Sequence, residues 1–210
     1  MMRRLIWLIG CLCLSAMAQA DGQQWPFRVS LDETEIGQHT YTLKTQNNKE
    51  VLVSDARFEV RLLSIPVYRY RHHAEEIWDG PCLSALKAQT DDNGEITEID
   101  AQPVEAGLSV RSPQSSIRVP GCTQSFAYWS PLIREATRLL NPQTGEITPV
   151  KVRPLGQSFL LVRGQKQSAT QYQLTAPGLI IDLWYDDQGN WVGLDSKVPT
   201  GGILHYRLEG

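Results

Sequence analysis

No stretch of this 210-residue chain is both apolar and long enough to cross a bilayer as a helix. The longest apolar run, Leu5 to Leu14, falls far short of the roughly 20 residues such a span needs. There is no Cys-x-x-Cys, so the usual spacing of a redox-active pair is missing. There is no Gly-x-Ser-x-Gly elbow for a nucleophile and no glycine-rich phosphate loop. Basic residues are in deficit, 20 Lys and Arg against 23 Asp and Glu, for a net charge of −3. That balance argues against a nucleic-acid or anionic-membrane surface, because both favour a basic face. The chain shows no internal repeat, low-complexity tract or linker.

What is present begins with an address. Arg3-Arg4 is a positive start, Leu5 to Leu14 an apolar middle, and Ala18-Gln19-Ala20 a small-x-small cleavage site. Residues 1–20 read as a secretory signal peptide, which places the protein in the periplasm or outside the cell. Removing Arg3 and Arg4 moves the net charge from −3 to −5, and residues 21–210 are long enough for a single β domain with one core. Cys11 and Cys13 leave with the leader. Cys82 and Cys122 remain, 40 positions apart, and an even pair in an exported chain predicts a structural disulfide.

The body of the chain alternates with the period of strands. Phe27-Arg28-Val29-Ser30-Leu31 places apolar residues on every second position, Ile36 to Leu43 reads as the returning strand, and Ala56, Phe58, Val60 and Leu62 alternate again. Gly37 inside the second of these predicts a bulge or a close approach. Asp79-Gly80-Pro81 and Asp91-Asp92-Asn93-Gly94 are turn signals, so Tyr68 to Asp100 reads as a three-stranded meander. After the meander the chain loosens, with loop compositions around the short runs Leu108–Val110 and Ile117–Val119. Further strands are expected at Ile147–Val152, Phe159–Val162, Ala169–Leu174, Leu179–Tyr185, Trp191–Ser196 and Ile203–Leu208. One helix interrupts them. Ser130 suits an N-cap and Pro131 a first helical position, and Leu132, Ile133, Ala136, Leu139 and Leu140 share a helical face. The expected fold is mainly β: an antiparallel barrel or strongly curved half-barrel, with the Pro131–Leu140 helix covering its mouth.

Candidate chemistry is sparse. His72, His73, Glu75 and Glu76, with His39 or His205, are zinc-ligand types. Adjacent histidines on a strand point to opposite faces, however, and the spacing fits no zinc motif. The run reads as a charged, solvated strand edge. No metal, cofactor or catalytic residue is assigned, and the reading leans away from an enzyme. The aromatics carry the remaining signal. Tyr68, Tyr70, Trp78, Trp129 and Trp184 are the candidates for lining a concave β surface that takes an apolar ligand.

Several segments carry a resemblance: Ile36-Gly37-Gln38-His39, Tyr68-Arg69-Tyr70-Arg71-His72, Glu76 to Leu83 (EIWDGPCL), Phe126-Ala127-Tyr128-Trp129-Ser130-Pro131, Leu139 to Gly145 (LLNPQTG) and Asp182-Leu183-Trp184-Tyr185. On them the chain resembles a family of exported bacterial proteins catalogued as a domain of unknown function. More loosely it looks like the periplasmic half-barrel lipoprotein carriers that shield acyl chains. That second likeness implies a lipid or other apolar small molecule as partner. The competing expectation is an envelope-assembly module that binds a protein and has no ligand cavity. A hydrolase with a dispersed site is a third, and it requires a His and a carboxylate within reach of a nucleophile.

Overall fold

In a computed structural model of the protein, residues 22–199 and 201–209 are described; the signal-peptide expectation lies outside them. The strands are β1 (Gln23–Leu31), β2 (Thr34–Gln46), β3 (Lys49–Leu62), β4 (Ile65–Asp79), β5 (Cys82–Asp92), β6 (Glu95–Val104), β7 (Gly107–Arg111), β8 (Ser116–Pro120), β9 (Gln124–Ser125), β10 (Arg138–Leu140), β11 (Ile147–Pro149), β12 (Lys151–Val162), β13 (Gln165–Ala176), β14 (Leu179–Tyr185), β15 (Trp191–Lys197) and β16 (Ile203–Leu208). Thirteen of them form one sheet in the order β12-β13-β14-β15-β16-β1-β2-β3-β4-β5-β6-β7-β8. Every pairing in it is antiparallel, and the first and last strands, β16 and β1, meet in its middle. The sheet does not close: β12 and β8 are its two edges. The mainly-β, half-barrel expectation therefore holds.

The curvature has local causes. Between Val29 and Ser30 of β1 the register with β2 shifts, leaving Ile36 as the extra residue beside Gly37. Gly37 takes φ +149, and a Cβ there would fall 2.0 Å from the Arg57 carbonyl oxygen. Only glycine lets β2 and β3 approach this closely. The long strands alternate burial along their length, so one face of the sheet is an inner wall and the other meets solvent.

The segment between the two edge strands, residues 121–150, enters the concavity. It carries a second, three-stranded sheet in the order β11-β10-β9, with β9 and β10 parallel. The Cys82–Cys122 disulfide is formed and pins the start of this segment to β5. Beside it the Leu83 amide donates to the Thr123 carbonyl at 2.8 Å. Leu139, Leu140 and Ile133 are fully buried against Trp78, Leu86, Leu174, Tyr185 and Trp191. The segment is thus a plug that fills one half of the half-barrel with hydrophobic side chains, the dominant stabilising term of such a fold.

The single helix starts as expected and stops early. The Ser130 hydroxyl accepts from the Leu132 amide, Pro131 holds the first helical position, but the element is a five-residue 3₁₀ helix ending at Glu135. Arg138–Leu140 is a strand, because β11 and β9 offer its backbone two partners and its apolar side chains are buried at the centre of the plug. Tertiary pairing outweighs helix propensity in so short a segment. The expected strands Ile147–Val152 and Phe159–Val162 are also redrawn. Val150 separates β11 from β12, and β12 runs unbroken from Lys151 to Val162 through a bulge between Pro154 and Gly156.

Candidate functional site

The plug leaves the other half of the concavity open. Period-two alternation puts His39 and Tyr41 of β2, Ser54, Ala56 and Phe58 of β3, and Tyr70, His72, Ala74 and Glu76 of β4 on the inner wall. Two adjoining cavities lie over them. The inner one is about 280 Å³ and is bordered by His39, Tyr41, Ser54, His72, Ala74 and Glu76 on the sheet side. Phe126, Ala127, Tyr128 and the Asn141-Pro142-Gln143 turn wall it from the plug side. The outer one is about 670 Å³, with Leu31, Ile36, Phe58, Val60, Tyr68 and Tyr70 among its lining residues. His39, Gln143, Leu204 and Tyr206 border both, so the two form one cleft running from the sheet's interior to its rim. Each falls within or close to the size range of ordinary ligand pockets, roughly 300–1,000 Å³.

The cleft has a chemical gradient. At the rim its walls are mainly leucine, isoleucine, valine and aromatic rings, with Asp92 and Gln143 among them. Phe58 and Tyr70 stack with ring centres 5.3 Å apart, and Tyr206 stands edge-on to Phe58 at 6.3 Å. At its base are buried polar groups. His39 Nε2 shares a 2.7 Å hydrogen bond with Ser54 Oγ, and the imidazole stacks on Tyr41 at 4.2 Å. His72 Nδ1 shares a 2.9 Å bond with Thr90 Oγ1. Glu76 Oε2 accepts from Trp78 Nε1 and from Ser125 Oγ, both at 2.9 Å. His39 Nδ1 is buried without a partner, an uncommon condition for a polar atom.

Burial sets the charge of this base. It holds the His39 imidazole well below the ordinary histidine range, with a smaller contribution from His72 in the same direction. It pushes His72 down to about 4, with a minor contribution from His73. Both rings are therefore neutral at physiological pH. Burial raises Glu76 to about 7, although the bonds from Ser125 and Trp78 favour its charged form. The base of the cleft is thus polar and hydrogen-bonded, with neutral imidazoles and a Glu76 carboxyl that holds its proton below about pH 7. Such a surface suits a hydroxyl, carbonyl or protonated carboxyl better than an ion.

The pair of Ser54 and His39 is the beginning of a nucleophile–base arrangement, but it stops there. No carboxylate meets the second imidazole nitrogen, and Glu76 spends its contacts on Trp78 and Ser125. Around Ser54 and His39 no orienting acid completes the arrangement. Among the described residues no three His, Cys, Asp or Glu side chains converge as a metal site.

Of the aromatics singled out from sequence, the structure brings Tyr68 and Tyr70 together at the outer cavity. Trp78 and Trp129 meet each other, edge to face at 5.6 Å, inside the packed half. Trp184 stands apart: its Nε1 donates to Ser158 Oγ and its ring lies under the Arg207 guanidinium, 5.7 Å away. The run His72–Glu76 divides by parity. His73 and Glu75 are exposed, as a solvated edge requires, whereas His72 and Glu76 are buried. Ser54 was not singled out from sequence, and His39, His72 and Glu76 were weighed only as zinc ligands; their shared inner face was reachable by counting in twos from Tyr70 and Trp78 along β4 and then across its neighbours. The expected helical lid is replaced by loop: Phe126–Tyr128 and Asn141–Gln143, not Pro131–Leu140, wall the cleft.

An open β-barrel-like sheet with a plug and an interior cleft is the class these features define. The chain belongs to the family described as a domain of unknown function, DUF6134, whose model matches residues 27–209. Among solved structures it is similar to the β-barrel-like protein of domain of unknown function DUF1849 from Brucella abortus. That likeness has a TM-score of 0.66 at 12% identity and covers 89% of this chain and 95% of the other, which makes it a likeness of fold. No curated protein matches.

Proposed function

We propose that this is an exported protein that binds a lipid or another apolar small molecule in the half-barrel cleft. The apolar body of the ligand lies in the outer cavity against Phe58, Val60, Tyr68 and Tyr70. Its one polar group, uncharged or protonated, points to the His39, Ser54 and His72 end. The observation that carries the reading is the unequal filling of one concavity. The plug packs one half with Trp78, Leu139, Leu140 and Trp191, while small residues, Ser54 and Ala74, face the other half. A structural core that needed filling would carry large side chains at those positions. Export rests on the reading of residues 1–20 as a signal peptide. Among the described residues no helix is long and apolar enough to cross a membrane.

The test is native mass spectrometry of the protein purified after export, followed by organic extraction. A co-purifying acyl species, released on denaturation, is the expected result. A bare polypeptide mass, together with no uptake of added fatty acid or phospholipid, overturns the reading. The envelope-interaction alternative has its own observation: edge strand β12 leaves Leu155, Phe159 and Leu161 exposed beside an unpaired backbone edge, a surface suited to strand addition by a protein partner. Crosslinking from β12 in the intact envelope separates the two readings.

A further inference from the structure

Residues 59–69 of the β3–β4 hairpin stand clear of the sheet. β2 pairs with β3 only as far as Gly37 opposite Phe58, and β5 pairs with β4 only from Asp92 opposite Tyr70. Beyond those points the Asn93 amide still donates to the Arg69 carbonyl at 2.8 Å, and further out β3 and β4 pair with each other, Val60 with Tyr68 and Leu62 with Ile65. The tip of this ribbon is apolar and in solvent: Leu62 is 65% exposed, Leu63 90%, Ile65 66% and Val67 52%. The turn is also strained. Leu63 and Ser64 hold φ +48 and +70, values at which an L side chain crowds its own backbone and Asn-Gly is favoured. At the corresponding turn between β5 and β6 the chain does use Asn93-Gly94. A polar Asn-Gly tip would relieve the strain and the exposed apolar surface together. Neither stability nor solubility accounts for Leu62-Leu63-Ser64-Ile65-Pro66-Val67 here.

Two features point to what meets this tip. The inner face of the same ribbon carries Val60 and Tyr68, which line the mouth of the outer cavity with Leu31, Ile36 and Val198. The apolar tip thus adjoins the mainly apolar mouth of the cavity, where Asp92 sits beside Tyr68. Behind the tip, the ribbon's outer face carries Arg57, Arg61, Arg69 and Arg71 with one acid of its own, Glu59, which pairs with Arg61 at 2.6 Å and Arg69 at 3.1 Å. Glu35 of β2 borders the same surface beside Arg57, Arg69 and Arg71. Asp91 and Asp92 lie across from Arg71 and Tyr70 on β5, further from the tip. The chain as a whole is acidic, so this basic collar is local.

We propose that the β3–β4 tip docks on a phospholipid bilayer. Leu62, Leu63 and Ile65 insert below the headgroups, the arginine collar meets the phosphates, and the mouth of the cleft opens directly onto the acyl chains. An apolar ligand then passes between bilayer and cavity without crossing water. The inference rests on the ligand reading above and supplies its source. The test is flotation of the exported protein with vesicles of phosphatidylcholine, alone or mixed with phosphatidylglycerol. A parallel assay measures uptake of a fluorescent fatty acid added without vesicles. The wild type is expected to float, more strongly with the anionic vesicles. The double variant Leu62→Ser/Leu63→Ser is expected to lose on the order of tenfold or more in vesicle binding, the scale set by withdrawing apolar side chains from an apolar phase. Its fatty-acid uptake and melting temperature should be retained, since both leucines lie in solvent. Flotation unchanged by the substitutions, or a wild type that floats with neither vesicle, overturns the docking and assigns the tip to a protein partner. Absent uptake in the wild type defeats the cavity reading alone.

Discussion

One concavity is built in two ways. Around the plug, Trp78, Leu139, Leu140, Leu174, Tyr185 and Trp191 are all but inaccessible, and Tyr185 Oη donates to the Tyr128 carbonyl at 2.9 Å. On β3 and β4, Leu52 and Trp78 belong to this packed half. A few residues away along the same two strands Ser54 and Ala74 line the cleft, and buried polar groups replace apolar ones. The strands, their twist and their register are shared, so backbone cannot explain the contrast. Side-chain volume and polarity do. The packed half supplies the stability that allows the open half to stay open, a division in which buried polar groups and empty space are tolerated at the site and compensated elsewhere.

The contrast is sharpest under truncation. Trp191→Ala is expected to lose about 3–5 kcal/mol of stability, the usual result of emptying a large aromatic from a close-packed core. Tyr70→Ala, at the cleft, should lose well under half as much, because one side of its ring already faces a cavity. Urea melts of both variants check this. Equal losses would mean that the cleft is structural core. Next is the plug's attachment. Cys82→Ser is expected to lose roughly 2–5 kcal/mol, as removal of a native disulfide does in exported domains. Reduction of the wild type should lower its melting temperature in parallel.

Much of this fold was legible in the sequence, and the failures are informative. Asn93-Gly94, Gly37 and the alternation from Ala56 to Leu62 are local signals, and local signals located the hairpins and the bend. Leu179–Tyr185 and Ile203–Leu208 begin and end where alternation placed them. The Ser130-Pro131 start is local too, and it holds. The stretch Ala136–Leu140 failed because its conformation is decided by β9 and β11, neighbours in space that periodicity does not reveal. The site failed for a related reason. On β4 the side of each residue is readable from parity, yet whether an inner side meets solvent, a ligand or a packed plug depends on residues 121–150. Aromatic size therefore pointed to Trp78, which the plug covers, and Trp129, which belongs to the plug, as readily as to Tyr68 and Tyr70, which line the open cleft.

The base of the cleft makes a pH prediction whose sign follows from burial. Glu76 is raised to about 7 from an ordinary 4.5. Below pH 4.5 both folded and unfolded chains hold the proton and nothing is lost. As pH rises from 4.5 to 7 the unfolded chain ionises first, so stability falls. Above 7 the deficit is complete, about 3 kcal/mol. His72, lowered to about 4, works oppositely: its contribution is intact above pH 6.5 and is lost as pH falls toward 4. Between pH 4.5 and 6.5 the two largely cancel, and His39 adds to the acid side. Glu76→Gln keeps an oxygen to accept from Trp78 and Ser125. It should stabilise the protein by about 3 kcal/mol at pH 8 and by almost nothing at pH 4. Denaturant titrations of wild type and variant at the two pH values check it, and equal gains at both would show that ionisation at Glu76 is not the cause.

The smallest effect on stability should accompany the largest effect on function. Ser196 lines the inner cavity from β15, opposite the His39 wall, and is only half-buried. Ser196→Phe places a ring in space the fold leaves empty. No packed neighbour must move to receive it, so the change in stability should stay within about 1 kcal/mol, below the 1–3 kcal/mol that overpacking a filled core typically brings. Ligand capacity should nonetheless fall, since the ring occupies the volume proposed for the polar end of the ligand. Fatty-acid uptake and a urea melt of the same sample decide the matter. Lost uptake with an unchanged melt is what a binding cleft requires. Retained uptake with an unchanged melt places the ligand elsewhere. A large loss of stability means that the inner cavity is packed in solution and that the two halves of the concavity are alike after all.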